Sequence, residues 1–123
     1  MPGEIRPKVS SFGSVDPAPP IDISSITYHR AILHDVNERL SQRMRSVFSL
    51  RNIGGSEAVQ ALCSAFFDDS ALLRHELAYV LGQMQDDLAL PTLEERLADA
   101  QEHVMVRHEA AEAIGAIGNQ KSR

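Results

Sequence analysis

Two dipeptides, His75-Glu76 and His108-Glu109, hold the residue types in this chain best suited to chemistry. An imidazole nitrogen beside a carboxylate oxygen suits Fe, Mn or Zn better than Ca or Mg. A mixed nitrogen and oxygen set that leaves coordination positions open is the environment of non-haem iron and O2. Carboxylate–histidine two-metal sites are built from such pairs projected by facing helices. Two pairs supply four protein ligands at most. That is enough for one metal with open positions and too few for a fully protein-ligated two-metal centre. A single His-Glu near a helix start is ordinary solvated surface, since the helix dipole favours Glu there. The case for chemistry therefore depends on how the two pairs are related.

They are related by an internal repeat. Leu73-Arg74-His75-Glu76-Leu77-Ala78-Tyr79-Val80-Leu81-Gly82 matches Val106-Arg107-His108-Glu109-Ala110-Ala111-Glu112-Ala113-Ile114-Gly115 at a spacing of 33 residues. Arg, His, Glu and Gly are identical, and the apolar stripe stays in register. A third copy, Met44-Arg45-Ser46-Val47-Phe48-Ser49-Leu50, lies 31 residues before the first and replaces His-Glu with Met44-Arg45. Periods of about 30 to 40 residues with two helices per unit indicate an α-solenoid, in which each stripe is buried by stacking on neighbours. The bulky aromatic positions of tetratricopeptide repeats are missing, and Pro91 near a helix start suits a HEAT-like unit. The fold class is thus all-α, a solenoid of helix-pair repeats with no segment that reads as a strand.

Turn and cap signals divide the helices: Gly54-Gly55, Asp68-Asp69-Ser70, Asp86-Asp87 and Gly118-Asn119, with Ser56 and Ser70 as candidate caps. At about 100° per residue, His75 falls nearly opposite the centre of the stripe Leu73, Leu77, Val80, Leu81 and Met84, and Glu76 falls on its flank. His108 and Glu109 repeat this against Val106, Ala110, Ala113, Ile114 and Ile117. Second helices of successive units line one surface, so the two pairs should be neighbours about 8–10 Å apart at the helix axes. Packing explains shared seam residues; it does not explain a shared polar pair off the seam.

The remaining sequence bounds the reading. Five of the six prolines fall within residues 1–25, which read as a disordered N-terminal arm. Residues 26–119 form the repeat domain and 120–123 a tail. No stretch reaches the roughly 20 apolar residues of a membrane span. The net charge of −5, the absence of Trp and 5% aromatic content argue against nucleic-acid binding. Cys63 is the lone cysteine and no secretory leader is evident, which suggests a reducing, cytoplasmic setting. Cys63 itself reads as a buried, inert thiol. His29, His34 and His103 read as surface, and Glu94-Glu95 as a solvated face.

Asp68 to Tyr79, Leu81-Gly82-Gln83-Met84-Gln85-Asp86, Val104 to Ala110, and Ala116-Ile117-Gly118-Asn119 together resemble the deoxyhypusine hydroxylase family. Leu50-Arg51-Asn52-Ile53-Gly54-Gly55 fits the family's first unit, so the likeness runs from Arg43 to Asn119. The resemblance implies half of a dyad of HEAT-repeat halves. Four His-Glu motifs, two per half, hold a di-iron (Fe2+) centre between them. It implies hydroxylation, with O2, of the deoxyhypusine side chain on translation initiation factor 5A. His75, His108 and Glu109 would be iron ligands. Glu76 would be a ligand or a carboxylate that meets the cationic substrate amine.

The family carries a second half with two further His-Glu motifs, which this sequence lacks. The chain therefore reads as a truncated product, splice form or gene model, inactive alone, with a partly bare seam along its last helix. A C2-like homodimer would restore four pairs. Two other readings compete: a non-catalytic HEAT-type scaffold whose polar face binds a protein, and a homodimeric metal-storage bundle.

Overall fold

The computed structural model describes residues 23–122, and side chains from 24 to 119. Most of the arm expected over residues 1–25 lies outside the described residues. Its last three positions do not belong to it, because a helix already begins at Ile23. Six α-helices follow: α1 (Ile23–His34), α2 (Leu40–Ile53), α3 (Gly55–Cys63), α4 (Ala71–Met84), α5 (Leu90–Ala98) and α6 (Val104–Ser122). A 3-10 turn, Asp87–Ala89, leads into α5. There is no strand among the described residues. The helices pair as α1/α2, α3/α4 and α5/α6, with α2, α4 and α6 as successive second helices.

Local chemistry sets the boundaries. Ser70 caps α4, its hydroxyl accepting from the Leu73 N–H at 3.1 Å. The Ser70 N–H in turn donates to Asp68 Oδ2 at 2.8 Å. Gln85 closes α4 in the left-handed region at φ 55°. Pro91 occupies the first turn of α5, where its missing N–H has no intrahelical acceptor to lose. Ser56 is not a cap: it lies inside the first turn of α3, and Gly54, at φ 74°, stands at the cap position. His103 precedes α6, and its Nδ1 accepts from the Met105 N–H at 3.1 Å. The boundary expected at 119/120 is absent too. Gly118 and Asn119 continue as helix and α6 runs through to Ser122.

The apolar stripes meet in one core. Val47, Leu50, Leu62, Leu73, Leu77, Val80, Leu81 and Leu93 are fully buried. Each such side chain contributes about 1.5–3 kcal/mol by leaving water. The seam of α6, expected to be partly bare, is covered except at Ile114, which is only partly buried. Val106, Ala110 and Ile117 are fully buried, because α4 and α5 both pack on α6.

A second system ties the units together. Arg43 on α2 donates to the Leu33 carbonyl through Nε at 2.9 Å and Nη2 at 2.7 Å, and pairs with Asp68 before α4. Arg74 on α4 donates to both carboxylate oxygens of Glu102, before α6, at 2.7–3.1 Å. Its Nη1 also reaches the Asp68 carbonyl at 2.7 Å. Arg43, Arg74 and Arg107 occupy equivalent repeat positions, so each paired arginine reaches an acid that precedes the next unit's second helix. Arg107 Nε is buried and has no hydrogen-bond partner among the described residues.

Candidate metal centre

His75 leaves the second turn of α4 and Glu109 the second turn of α6. Because α4 and α6 pack side by side, His75 Nε2 comes within 3.1 Å of Glu109 Oε1. The wheel places His75 opposite its own seam, yet the side chain is only 29% exposed. The reason is that α4 packs on two sides, and α6 covers the flank on which His75 sits. The expected adjacency of the two His-Glu motifs is therefore present, in a specific form: the His of one unit meets the Glu of the next.

That register leaves one donor over at each side. Glu76 is half-buried on α4. The preceding unit has Met44-Arg45 at the His-Glu position, so no imidazole is offered to Glu76. His108 is 60% exposed and turns along its own helix to Glu112, Nε2 to Oε2 at 3.4 Å. Among the described residues, no three His, Cys, Asp or Glu side chains converge as a metal cage would require. The donor set fits a transition metal in kind, and two of its members, His75 and Glu109, come together. The chain supplies one converged pair and two donors beside it.

The pair sits between two surface grooves. One, open and about 350 Å³, is lined by Tyr79, Gly82, Gln83, Glu109, Glu112 and Ala113, among others. It has two carboxylates and no cationic side chain in its wall. Gln83 bridges its rim, donating to the Tyr79 hydroxyl at 3.1 Å and accepting from Arg51 Nη1 at 2.9 Å. The other groove is mainly apolar, formed by Ala71, Leu72, His75, His103 and Met105.

The groups set aside in the sequence reading stay quiet. Cys63 is half-buried, and burial pushes its thiol up, away from the thiolate. His34 Nε2 lies 2.8 Å from Ser64 Oγ, but that hydroxyl donates to the Ala61 carbonyl at 2.6 Å. With its one proton committed there, Ser64 accepts from His34 and is not activated as a nucleophile. His29 is not the surface residue expected: it is half-buried, its Nδ1 meets buried Ser46 Oγ at 3.2 Å, and burial lowers its pKa.

The sequence reading missed the acids. Glu102 has a side chain 1% exposed and accepts from Arg74, Arg96 and the His103 N–H. Burial alone would raise its pKa; those hydrogen bonds outweigh burial and hold it below the ordinary carboxylate range. Asp68 behaves alike, with burial opposed by Arg43 and the Ser70 N–H. The available signal was the arginine one residue before each His-Glu position, together with an acid shortly before each second helix.

Stacked helix pairs with an inter-unit arginine–acid ladder define a class, and residues 30–115 match the family model for HEAT repeats; the chain belongs to that family. Its similarity is more specific than the repeat. Deoxyhypusine hydroxylase of Danio rerio is 58% identical over 91 residues, 74% of this chain and 30% of that protein. The Homo sapiens enzyme is 48% identical over 112 residues, 91% of this chain and 37% of that protein. A structure of human deoxyhypusine hydroxylase in complex with glycerol superposes with a TM-score of 0.76 at 48% identity. It covers 80% of this chain and 34% of that one. The chain spans about a third of the length of these relatives.

Proposed function

We propose that this chain carries half of the iron-binding apparatus of a deoxyhypusine hydroxylase, acting on the deoxyhypusine side chain of translation initiation factor 5A in the cytoplasm. The observation that carries the reading is the His75–Glu109 approach of 3.1 Å across two helices, made by motifs duplicated at the repeat period. Similarity to enzymes of that name supports it. His75 and Glu109 would hold iron as a converged pair, and His108 and Glu76 would complete the set from either side. When bound, iron supplies the binding and reduction of O2, chemistry that no side chain provides.

The protein's own part is to hold and orient. Glu109 stands 3.1 Å from Nε2 of His75 and so limits where the imidazole can point before any ligand arrives. The carboxylate-walled groove suits a protonated amine, and the apolar groove on the other side of His75 suits a methylene chain. A long aliphatic amine laid across both would be held at its two ends, and its middle carbons would lie against the donor pair. Half-buried Glu76 is the alternative case: where it does not complete the iron set, it offers a carboxylate to the substrate's second amine. Two motifs are half of the family's complement, so full activity would need a second pair of motifs, from a further half or a homodimer.

The test is metal content and turnover together. Protein grown with iron should retain it, and His75→Ala, Glu109→Ala or His108→Ala should each lower it. Hydroxylation of deoxyhypusine-bearing initiation factor 5A should appear only when two further His-Glu motifs are supplied. Metal content unchanged by all three substitutions would sink the proposal and leave a protein-binding HEAT scaffold. Two-iron binding with turnover by the chain as a monomer would overturn the claim that it is half a site.

A further inference from the structure

The His75–Glu109 contact lies between two points at which α4 and α6 are pinned. On one side Arg74, immediately before His75, grips Glu102, whose carboxylate is also held by Arg96 of α5. An arginine fork on a carboxylate fixes orientation as well as distance. On the other side lies Gly82, seven residues beyond His75. A β-carbon there would stand 3.0 Å from both Cα and Cβ of Ala113, four residues beyond Glu109. The two helices can approach this closely only because Gly82 has no side chain.

The repeat separates the two devices. The ion pair is general: Arg43–Asp68 makes it between the first and second units, where no His-Glu exists. The glycine is not. Gly82 and Gly115 occupy the same position in the two units that carry His-Glu, whereas the unit with Met44-Arg45 has Arg51 there. Arg51 is too large for such an approach and reaches across to Gln83 instead. The glycine thus recurs with the donor pair, although a helix packs closely only on Gly82 and a β-carbon at Gly115 would meet nothing within 4 Å, whereas the arginine–acid rung is made at both interfaces between units.

We propose that Arg74, Glu102 and Gly82 are positioning residues for the His75–Glu109 pair. The ion pair sets how far α6 slides along α4, and the glycine sets how near the two axes lie. A slip of one residue would move Glu109 about 1.5 Å along the axis and turn it about 100° away from His75. The consequence for iron rests on the function proposed above; the consequence for the donor spacing does not.

The two are separated by a measurement that needs no metal. On a Cys63→Ser background, His75→Cys and Glu109→Cys are bridged by dibromobimane, whose arms join only thiols a few ångströms apart, and the rate of fluorescence gain is read. Adding Gly82→Ala, a change that helix propensity favours, should slow bridging by about threefold or more, because sub-ångström placement is lost. Glu102→Gln should do the same. Asp68→Asn, which weakens the Arg43 rung but keeps the backbone carbonyl that accepts from Arg74, should leave the rate near that of the parent. In the otherwise unaltered chain, Gly82→Ala should also weaken anaerobic Fe2+ binding by about tenfold, the scale of loss when the groups that orient a ligand are disturbed. If Glu102→Gln fails to fold by circular dichroism, Gly82→Ala carries the test. Parental bridging rates in the folded variants, or equal slowing in Asp68→Asn, would overturn the positioning role. Slowed bridging in the variants, with no Fe2+ bound by the unaltered chain, would keep the positioning role and remove the iron.

Discussion

The contact between the first and second units and the contact between the second and third are built on the same plan with different inserts. Each has an arginine on a second helix reaching an acid that precedes the next one: Arg43 to Asp68, then Arg74 to Glu102. After Arg43 come Met44 and Arg45; after Arg74 come His75 and Glu76. Met44 packs against the core, while His75 meets a carboxylate. Further along α2 and α4, Arg51 and Gly82 occupy one repeat position, and only the glycine admits its neighbour's backbone. The fold therefore needs the rung and does not need the His-Glu. A buried rung adds little net stability over an apolar substitute but is expensive to break, so its use lies in register.

Breaking the rungs should give the largest effects. Glu102→Ala leaves two arginines facing a void, and we expect a loss of about 3–5 kcal/mol in urea unfolding. Asp68→Asn keeps an oxygen for the Ser70 N–H and should cost less, about 1–3 kcal/mol. A wild-type-like midpoint for Glu102→Ala would break the comparison. Acid probes both rungs at once. The folded pKa values of Asp68 and Glu102 are depressed from ordinary values of 3.8 and 4.5. Their contribution is fully present above those values. It is lost as pH falls through the lowered folded values, because the unfolded chain takes up protons first. Thermal midpoints should thus be flat in this respect near neutrality and fall steeply below about pH 4.5; Glu102→Ala should flatten that fall.

Smaller effects sharpen the contrast. Met44→His would offer an imidazole to Glu76 in the register that joins His75 to Glu109. We expect a stability cost of about 1 kcal/mol and a gain in Zn2+ or Co2+ affinity that Glu76→Gln abolishes. No gain would mean that the first interface is too wide, as Arg51 suggests. Smallest should be His75→Ala, with a stability change of about 0.5 kcal/mol or less, since the pair is partly solvated and packing does not depend on it. A loss as large as that of Glu102→Ala would make His75 part of the scaffold.

Much of this was legible in the sequence because it is periodic. The seam residues Leu73, Leu77 and Val80 recur as Val106, Ala110 and Ala113, and all are buried. The duplicated His-Glu, set off that seam, indicated neighbouring motifs on one face, and the His75–Glu109 approach agrees with that. Helix ends were harder. Ser56 has a capping residue's chemistry, but Gly54 holds the turn. Gly118-Asn119 has a stop signal's chemistry, but α6 continues through it. Whether Glu102 is buried cannot be read from its own neighbourhood; Arg74 lies 28 residues away and Arg96 on another helix. Nor does a helical wheel show that α4 is covered on two sides, which is what moves His75 from solvent to a half-buried contact.

The pairing of each His with the following unit's Glu gives the row of motifs a direction, as head-to-tail linkage does for a polymer. Two motif-bearing helices make one closed link, with Glu76 facing a unit that has no imidazole to offer and His108 turned along its own helix to Glu112. Adding a motif would lengthen the chain of links by one and pass the outer imidazole onward, without removing either end. Such a row can saturate its donors only by turning them toward something outside the row.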